Sequence, residues 1–158
     1  MLRDGLPFSK TEFVRRVSAG HKFYELFVND KPLVYGWVAC VGAHVGVLHH
    51  LKLTVPDNAI YVWDVATAPE HRGQGLLGIM LDEIFNLHSP STRVTWSAVA
   101  VSNHASRRAL AKAGFNPMFT YFTIQVLGRT IFSAVLKKGR LVRAQPVFDC
   151  LSLEPVSG

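Results

Sequence analysis

Charge is scarce in this sequence, and long runs of it are missing altogether. Asp, Glu, Lys and Arg make up 18% of the 158 residues, against roughly 25% in average globular proteins. Lys and Arg outnumber Asp and Glu by 17 to 11, yet the basic residues cluster only as short pairs at Arg15-Arg16, Arg107-Arg108 and Lys137-Lys138. Nucleic-acid arms show longer runs. The net charge of +6 therefore points to a phosphorylated small molecule rather than to nucleic acid. Cysteine is nearly absent. Cys40 and Cys150 form no CxxC pair, so neither a zinc site nor a redox motif is expected, and two free thiols fit a cytoplasmic protein. No apolar run near the N-terminus is long enough for a signal-peptide core. Pro32 to Leu51 lacks Asp, Glu, Lys and Arg, but Gly36, Gly42, Gly46, His44, His49 and His50 interrupt it. It reads as buried strands, and no membrane segment is expected.

What is present is an apolar fraction of 49%, normal for a packed core. A chain of this length buries about two-thirds of its unfolded surface and needs no disulfide or metal staple. One domain over residues 1–158 is expected, without repeats or linkers. Ser9 or Thr11 caps a short helix through Ala19, with Phe13, Val14 and Val17 as its stripe and Gly20 as its stop. Phe23 to Val28 and Leu33 to Val41 read as a hairpin around Asn29-Asp30. Val45 to Val55 is less regular, and Ile60 to Thr67 is a strong strand. Leu76, Ile79, Met80, Ile84 and Leu87 recur at helical spacing. Arg93 to Val101 reads as a buried strand, and Asn103 opens a helix that Gly114 ends. Phe119 to Val126, a Leu127-Gly128 turn and Thr130 to Leu136 make a second hairpin. The last twenty or so residues are weakly patterned. The order predicts a single mixed α/β (α+β) domain.

The stretch Asp64 to Leu76 joins a strand to a helix through Arg72-Gly73-Gln74-Gly75. A helix start presents unpaired N–H groups and the positive end of the helix dipole. Glycines let that backbone approach a ligand closely, and Arg72 adds charge-assisted hydrogen bonds, so a pyrophosphate fits there. A third glycine for GxGxxG is missing, and so is the GKS or GKT of a Walker loop. The alternative is a loop whose glycines merely turn the chain.

Arg72-Gly73-Gln74-Gly75-Leu76-Leu77, preceded by Thr67-Ala68-Pro69-Glu70, resembles motif A of the GNAT superfamily of acyl-CoA N-acyltransferases. Asn103-His104-Ala105-Ser106 through Lys112-Ala113-Gly114-Phe115 resembles motif B, in the family's order and spacing. The resemblance spans about residues 20–136. It implies a mixed sheet splayed between the family's fourth and fifth strands, here Ile60 to Thr67 and Arg93 to Val101, with acyl-CoA in the cleft. Carried over by position, the backbone of Val65, Ala66 and Thr67 would pair with the pantetheine arm. Amides of Arg72, Gly73, Gln74, Gly75, Leu76 and Leu77 would bind the pyrophosphate. Asn103 and Ser106 would reach the cofactor from the other wall, the alternatives being a plain helix cap and a solvated hydroxyl.

Three features depart from the family. Leu77 stands where Gly or Ala is usual, with Gly78 following. Leu110 stands where many members carry a tyrosine that protonates the leaving thiolate, a role Tyr121 or water would have to take. Only one short helix precedes Phe23, and the acceptor site is largely built there. Asp64, in the apolar run Ile60 to Ala66, is the candidate general base: burial among Val62, Trp63 and Val65 would raise its pKa. His49 and His50 read as surface histidines and Cys40 as a buried strand thiol. Trp37, Trp63 and Trp96 read as core. The resemblance thus implies transfer of an acetyl group from acetyl-CoA, with no metal, to a primary amine on a small molecule or peptide. It leaves room for a homodimer. A non-catalytic acyl-CoA-binding module with the same fold is the alternative.

Overall fold

In the computed structural model, residues 9–47, 51–90, 92–126, 129–151 and 153–155 are described. Helix α1 (Lys10–Ser18) starts where the Ser9 hydroxyl accepts the Glu12 amide, and ends before Gly20, whose φ of 85° few other residues tolerate. Strands β1 (His21–Val28) and β2 (Lys31–Ala39) form the expected hairpin. Asn29 and Asp30 both carry positive φ, the conformation whose twist suits a two-residue turn. Val45 to Val55, expected to be irregular, contributes two paired strands, β3 (His44–Val47) and β4 (Leu51–Thr54). His49 and His50 lie outside the described residues.

Strand β5 (Ala59–Thr67) is central. It pairs antiparallel with β2 on one edge and parallel with β6 (Val94–Trp96) on the other, giving the order β1-β2-β5-β6. The β6 contact covers only Ala59↔Val94, Ile60↔Thr95 and Tyr61↔Trp96. The long strand expected from Arg93 to Val101 is thus corrected to three residues. Its β-forming side chains remain, but past Trp96 the chain has left the β5 ladder. Strands β7 (Thr120–Val126), β8 (Arg129–Lys137) and β9 (Arg140–Arg143) form a separate sheet. The sheet is therefore open between β5 and its neighbour, as the splay requires.

Helix α2 (Leu76–His88) packs Met80, Leu81 and Ile84 on one face of the main sheet, against Val34, Val38, Ile60 and Val62. Helix α3 (His104–Lys112) joins that layer through Leu110. Gly114, at φ 87°, stops it, with Gly114 N–H donating to Ala111 O and Phe115 N–H to Leu110 O. The opposite face carries a second core of Val45, Leu53, Val55, Tyr61, Val135 and Phe148. Phe148 comes from α4 (Ala144–Cys150), and β10 (Leu153–Pro155) pairs with β4, so the weakly patterned C-terminal stretch is structured.

Two buried histidines tie the layers. His88 Nε2 lies 2.9 Å from the Tyr24 hydroxyl, and His21 contacts the Trp63 ring edge-on at 5.2 Å. Burial pushes both pKa values down, with Lys22 adding to the effect at His88, and Arg15 and Arg16 at His21. A histidine depressed in the fold stabilises it fully above the unfolded pKa of about 6.5, and that contribution is lost as pH falls towards the native values. The melting temperature should therefore drop between pH 7.5 and 5.5, and His88→Gln should flatten the profile. A wild-type melting temperature constant over that range would contradict it.

Candidate active site

The glycine-rich turn begins after β5, where a short 3-10 turn (Pro69–His71) redirects the chain. Gly73 and Gly75 both have φ of 80°. A Cβ added at either would meet no protein atom within 4 Å. Glycine is thus required by backbone conformation, and the loop's outer side faces open space. Gly75 is the N-cap of α2 and offers no side chain to its amides, and the first turn holds no acidic residue. Ile79 N–H to Gly75 O, 3.3 Å, is the first bond of the helix start. The amides of Leu76, Leu77 and Gly78 precede it and are the donors that a helix leaves over. By contrast α1 and α3 are capped by Ser9 and Asn103. Arg72 is exposed, and its Nε donates to Thr67 O at 3.3 Å. Gln74 is exposed on the same turn, and Leu77 packs against the α2-side core, where its bulk leaves the turn unobstructed.

Val65, Ala66 and Thr67 lie on the part of β5 beyond the last β6 pair. Ala66 and Thr67 pair with Tyr35 and Val34 of β2; among the described residues no strand pairs with the other edge. That edge, the glycine turn and the α2 start are contiguous in the chain, and together they suit an extended arm ending in a diphosphate. Asn103 and Ser106 start α3. The Asn103 Oδ1 accepts the Ser106 amide at 3.1 Å, so the oxygen serves as cap and a donor role towards a ligand falls to the amide nitrogen. Ser106 is half-buried. A depression of about 230 Å³ lined by Phe85, Thr95, Ala113, Gly114, Phe115 and Asn116 lies towards the other end of α2. It holds no titratable group and is not part of this site.

Asp64 departs from expectation. Tyr35 pairs with Ala66 and Trp37 with Trp63, so Gly36 faces both Asp64 and Val65 in a β-bulge. Asp64 takes the extra position, at φ 46°. Strict alternation would turn it away from Trp63 towards α2. Instead its Oδ2 accepts from Arg16 Nη1 of α1 at 2.5 Å, on the Trp63 side of the sheet. The expected burial among apolar neighbours is corrected: Asp64 is exposed and ion-paired.

Arg16 is the residue that sequence reasoning passed over. Its guanidinium sits 4.5 Å from the Trp63 ring centroid and 5.0 Å from that of Trp37, and its Nε donates to Glu12 at 2.7 Å. Burial pulls its pKa down, but the hydrogen bonds to Asp64 and Glu12 prevail and the net shift is upward. Hydrogen bonds from Arg15 and Arg16 hold the Glu12 carboxyl down at about 2. Phe13, one helical turn before Arg16, packs on Trp37 and Phe23. The legible signal was Phe13 and Arg16 on one face of α1, with Glu12 four residues ahead of Arg16. Trp37 is buried core as expected, yet Trp37 and Trp63 also form a stacking surface.

Leu110 is packed in the α2-side core, and Tyr121 stacks edge-on against Phe148 at 5.1 Å. Tyr61, its hydroxyl bonded to the Ala98 backbone, is pushed up to about 12 by burial. Cys40 is a half-buried free thiol just past β2 rather than a buried strand residue. Among the described residues no group of three His, Cys, Asp or Glu side chains could hold a metal ion, and no helix is long and apolar enough to cross a membrane.

Comparison with known proteins identifies the family and supports the fold. The family model described as Acetyltransferase (GNAT) family matches residues 6–115. A search of curated protein sequences finds no match. Among solved structures, a tetramutant of the BH1408 protein from Bacillus halodurans superposes with a TM-score of 0.60 at 14% identity, covering 76% of each chain. The ribosomal-protein-S18-alanine N-acetyltransferase from Escherichia coli gives a TM-score of 0.52 at 18% identity, over 98% of this chain and 81% of that one. An aminoglycoside acetyltransferase from an uncultured soil metagenomic sample, in complex with sisomicin, gives 0.53 at 8% identity, over 79% and 81%.

Proposed function

The chain belongs to the GNAT acetyltransferase family, and from that premise we propose that it transfers an acetyl group from acetyl-CoA to a primary amine by direct attack. The observation that carries this reading is the edge of β5 beyond Tyr61, unpaired among the described residues, running into a glycine helix start without a side-chain cap. An extended thioester arm would add to Val65, Ala66 and Thr67 as a strand does, and the amides from Arg72 to Leu77 would hold the diphosphate. Asn103 and Ser106 stand on the α3 wall.

In this reading the amine attacks the thioester carbonyl carbon, and the sulfur leaves as thiolate. A thiol pKa of about 8.5 makes that departure tolerable without a protein acid, which suits Leu110 in its core position. Holding amine and thioester together supplies part of the roughly 7–11 kcal/mol available from orientation. Backbone amides at the β5 bulge polarise the carbonyl. Asp64 is the candidate to take the amine proton, a role worth about 10²–10⁴-fold.

One observation favours a second reading, a non-catalytic acyl-CoA-binding module: Asp64 is engaged by Arg16 rather than left for a substrate. Thiol release from acetyl-CoA during incubation with primary amines separates the two. The amine panel includes an aminoglycoside and a peptide with an amino-terminal alanine. Amine-dependent release is the expected result. Acetyl-CoA binding without release from any amine would leave the binding module.

A further inference from the structure

Beside the proposed thioester site the structure already holds a cation, and its surroundings resemble a ligand subsite. The indoles of Trp37 and Trp63, 6.2 Å apart and inclined at 37°, both meet the Arg16 guanidinium. Electron-rich ring faces attract cations, and a planar guanidinium stacks on them especially well. Asp64 and Glu12 complete the box with two carboxylates. We infer that this box is the acceptor's cation subsite, occupied in the resting chain by Arg16 as an internal stand-in, and that the acceptor carries an ammonium or guanidinium group that exchanges with it.

Three features carry the inference. The floor of the box, Trp37, Trp63 and Asp64, belongs to β2 and β5, whereas the occupant comes from α1. That helix has no buried residue and meets the floor through Phe13 and Arg16. The floor therefore persists if α1 shifts. Second, Asp64 owes its direction to the bulge, so the backbone of β5 itself, independent of α1, aims a carboxylate into the box. Third, the charge selects the ligand: an anionic acceptor would face Asp64, while a neutral one would leave Asp64 without a cation once Arg16 moved. The word acceptor rests on the transferase reading; the cation box itself does not.

The test uses the full chain and ethylguanidinium chloride, with neutral ethylurea as the control of similar size. Circular dichroism first establishes that Arg16→Ala is folded. Tryptophan fluorescence of Arg16→Ala should then report ethylguanidinium binding at least tenfold tighter than ethylurea, and tighter than in the wild type, where Arg16 competes. A folded Arg16→Ala without preference for the cation overturns the box. If that variant does not fold, Arg16→Lys replaces it. The lysine stacks less well, so ethylguanidinium should compete better than in the wild type; equal competition overturns the box. A glutamate-specific protease gives a readout without any variant. Cleavage after Glu12 of the wild type should accelerate with ethylguanidinium and not with sodium chloride of equal ionic strength; equal rates count against exchange. Finally, primary amines with a second ammonium should be turned over with kcat/KM at least tenfold above analogues carrying a hydroxyl instead. Equal turnover removes the subsite and leaves the transferase. Selective cation binding with no thiol release from any amine removes the transferase and leaves the box.

Discussion

Gly75→Val is expected to abolish measurable acetyl-CoA binding in calorimetry while the chain remains folded. Gly75 caps α2 at φ 80°, ψ 0°. A residue with a side chain pays roughly 1–2 kcal/mol to enter that left-handed region, and a β-branched one is a clear outlier there. Relief of the strain would rotate the amides that open α2. The open space around the added Cβ matters as much. No protein atom would be displaced, so the clash falls entirely on whatever occupies the turn. Loss of two charge-assisted hydrogen bonds, about 1.5–3 kcal/mol each, brings the deficit to at least a hundredfold at about 1.4 kcal/mol per tenfold. Gly75→Ala should fall between wild type and valine. Arg72→Ala should weaken binding less, because its Nε already donates to Thr67 O and only part of the guanidinium serves the ligand. Wild-type affinity in the valine variant would remove the turn from the site.

The glycine turn and the α3 cap, the proposed cofactor half of the site, were legible as local structure because their signals are local. Two glycines with positive φ and an Asn cap are properties of a few consecutive residues, and the sequence states them directly. The splay was legible only through resemblance. The composition of Arg93 to Val101 says strand and nothing about a partner, and it is the missing partner past Trp96 that opens the cleft. The Asp64–Arg16 pair was hidden for a different reason. A bulge is an extra residue relative to a neighbouring strand, so it appears only when Trp37 is set against Trp63 and Tyr35 against Ala66. Judged by its apolar neighbours in sequence, Asp64 looked buried, and Arg16 was only one half of a short basic pair. Long-range register reversed both. The C-terminal elements were missed for a similar reason: Phe148 has meaning only against Tyr121 and the far sheet face.

The Asp64 series has the other large expected effect, and its value lies in separating charge from backbone. At φ 46° aspartate is in a region that Asn and Gly enter with little strain, whereas a β-branched residue does so poorly. Asp64→Asn therefore keeps the bulge and removes the carboxylate, Asp64→Gly keeps the bulge and removes the side chain, and Asp64→Val strains the bulge as well. If Asp64 takes the amine proton, Asn and Gly should both lower kcat by about 10²–10⁴ with acetyl-CoA affinity nearly unchanged. Valine should add a loss of acetyl-CoA affinity, because the displaced bulge carries the neighbouring edge of Val65 to Thr67 with it. In the wild type the pH–rate curve should rise through one apparent pKa without an acid limb from a tyrosine, since Leu110 is in the core and Tyr121 is packed on Phe148. The glycine variant decides the matter. Wild-type kcat in Asp64→Gly would mean that the position serves backbone geometry alone, with the amine proton taken elsewhere.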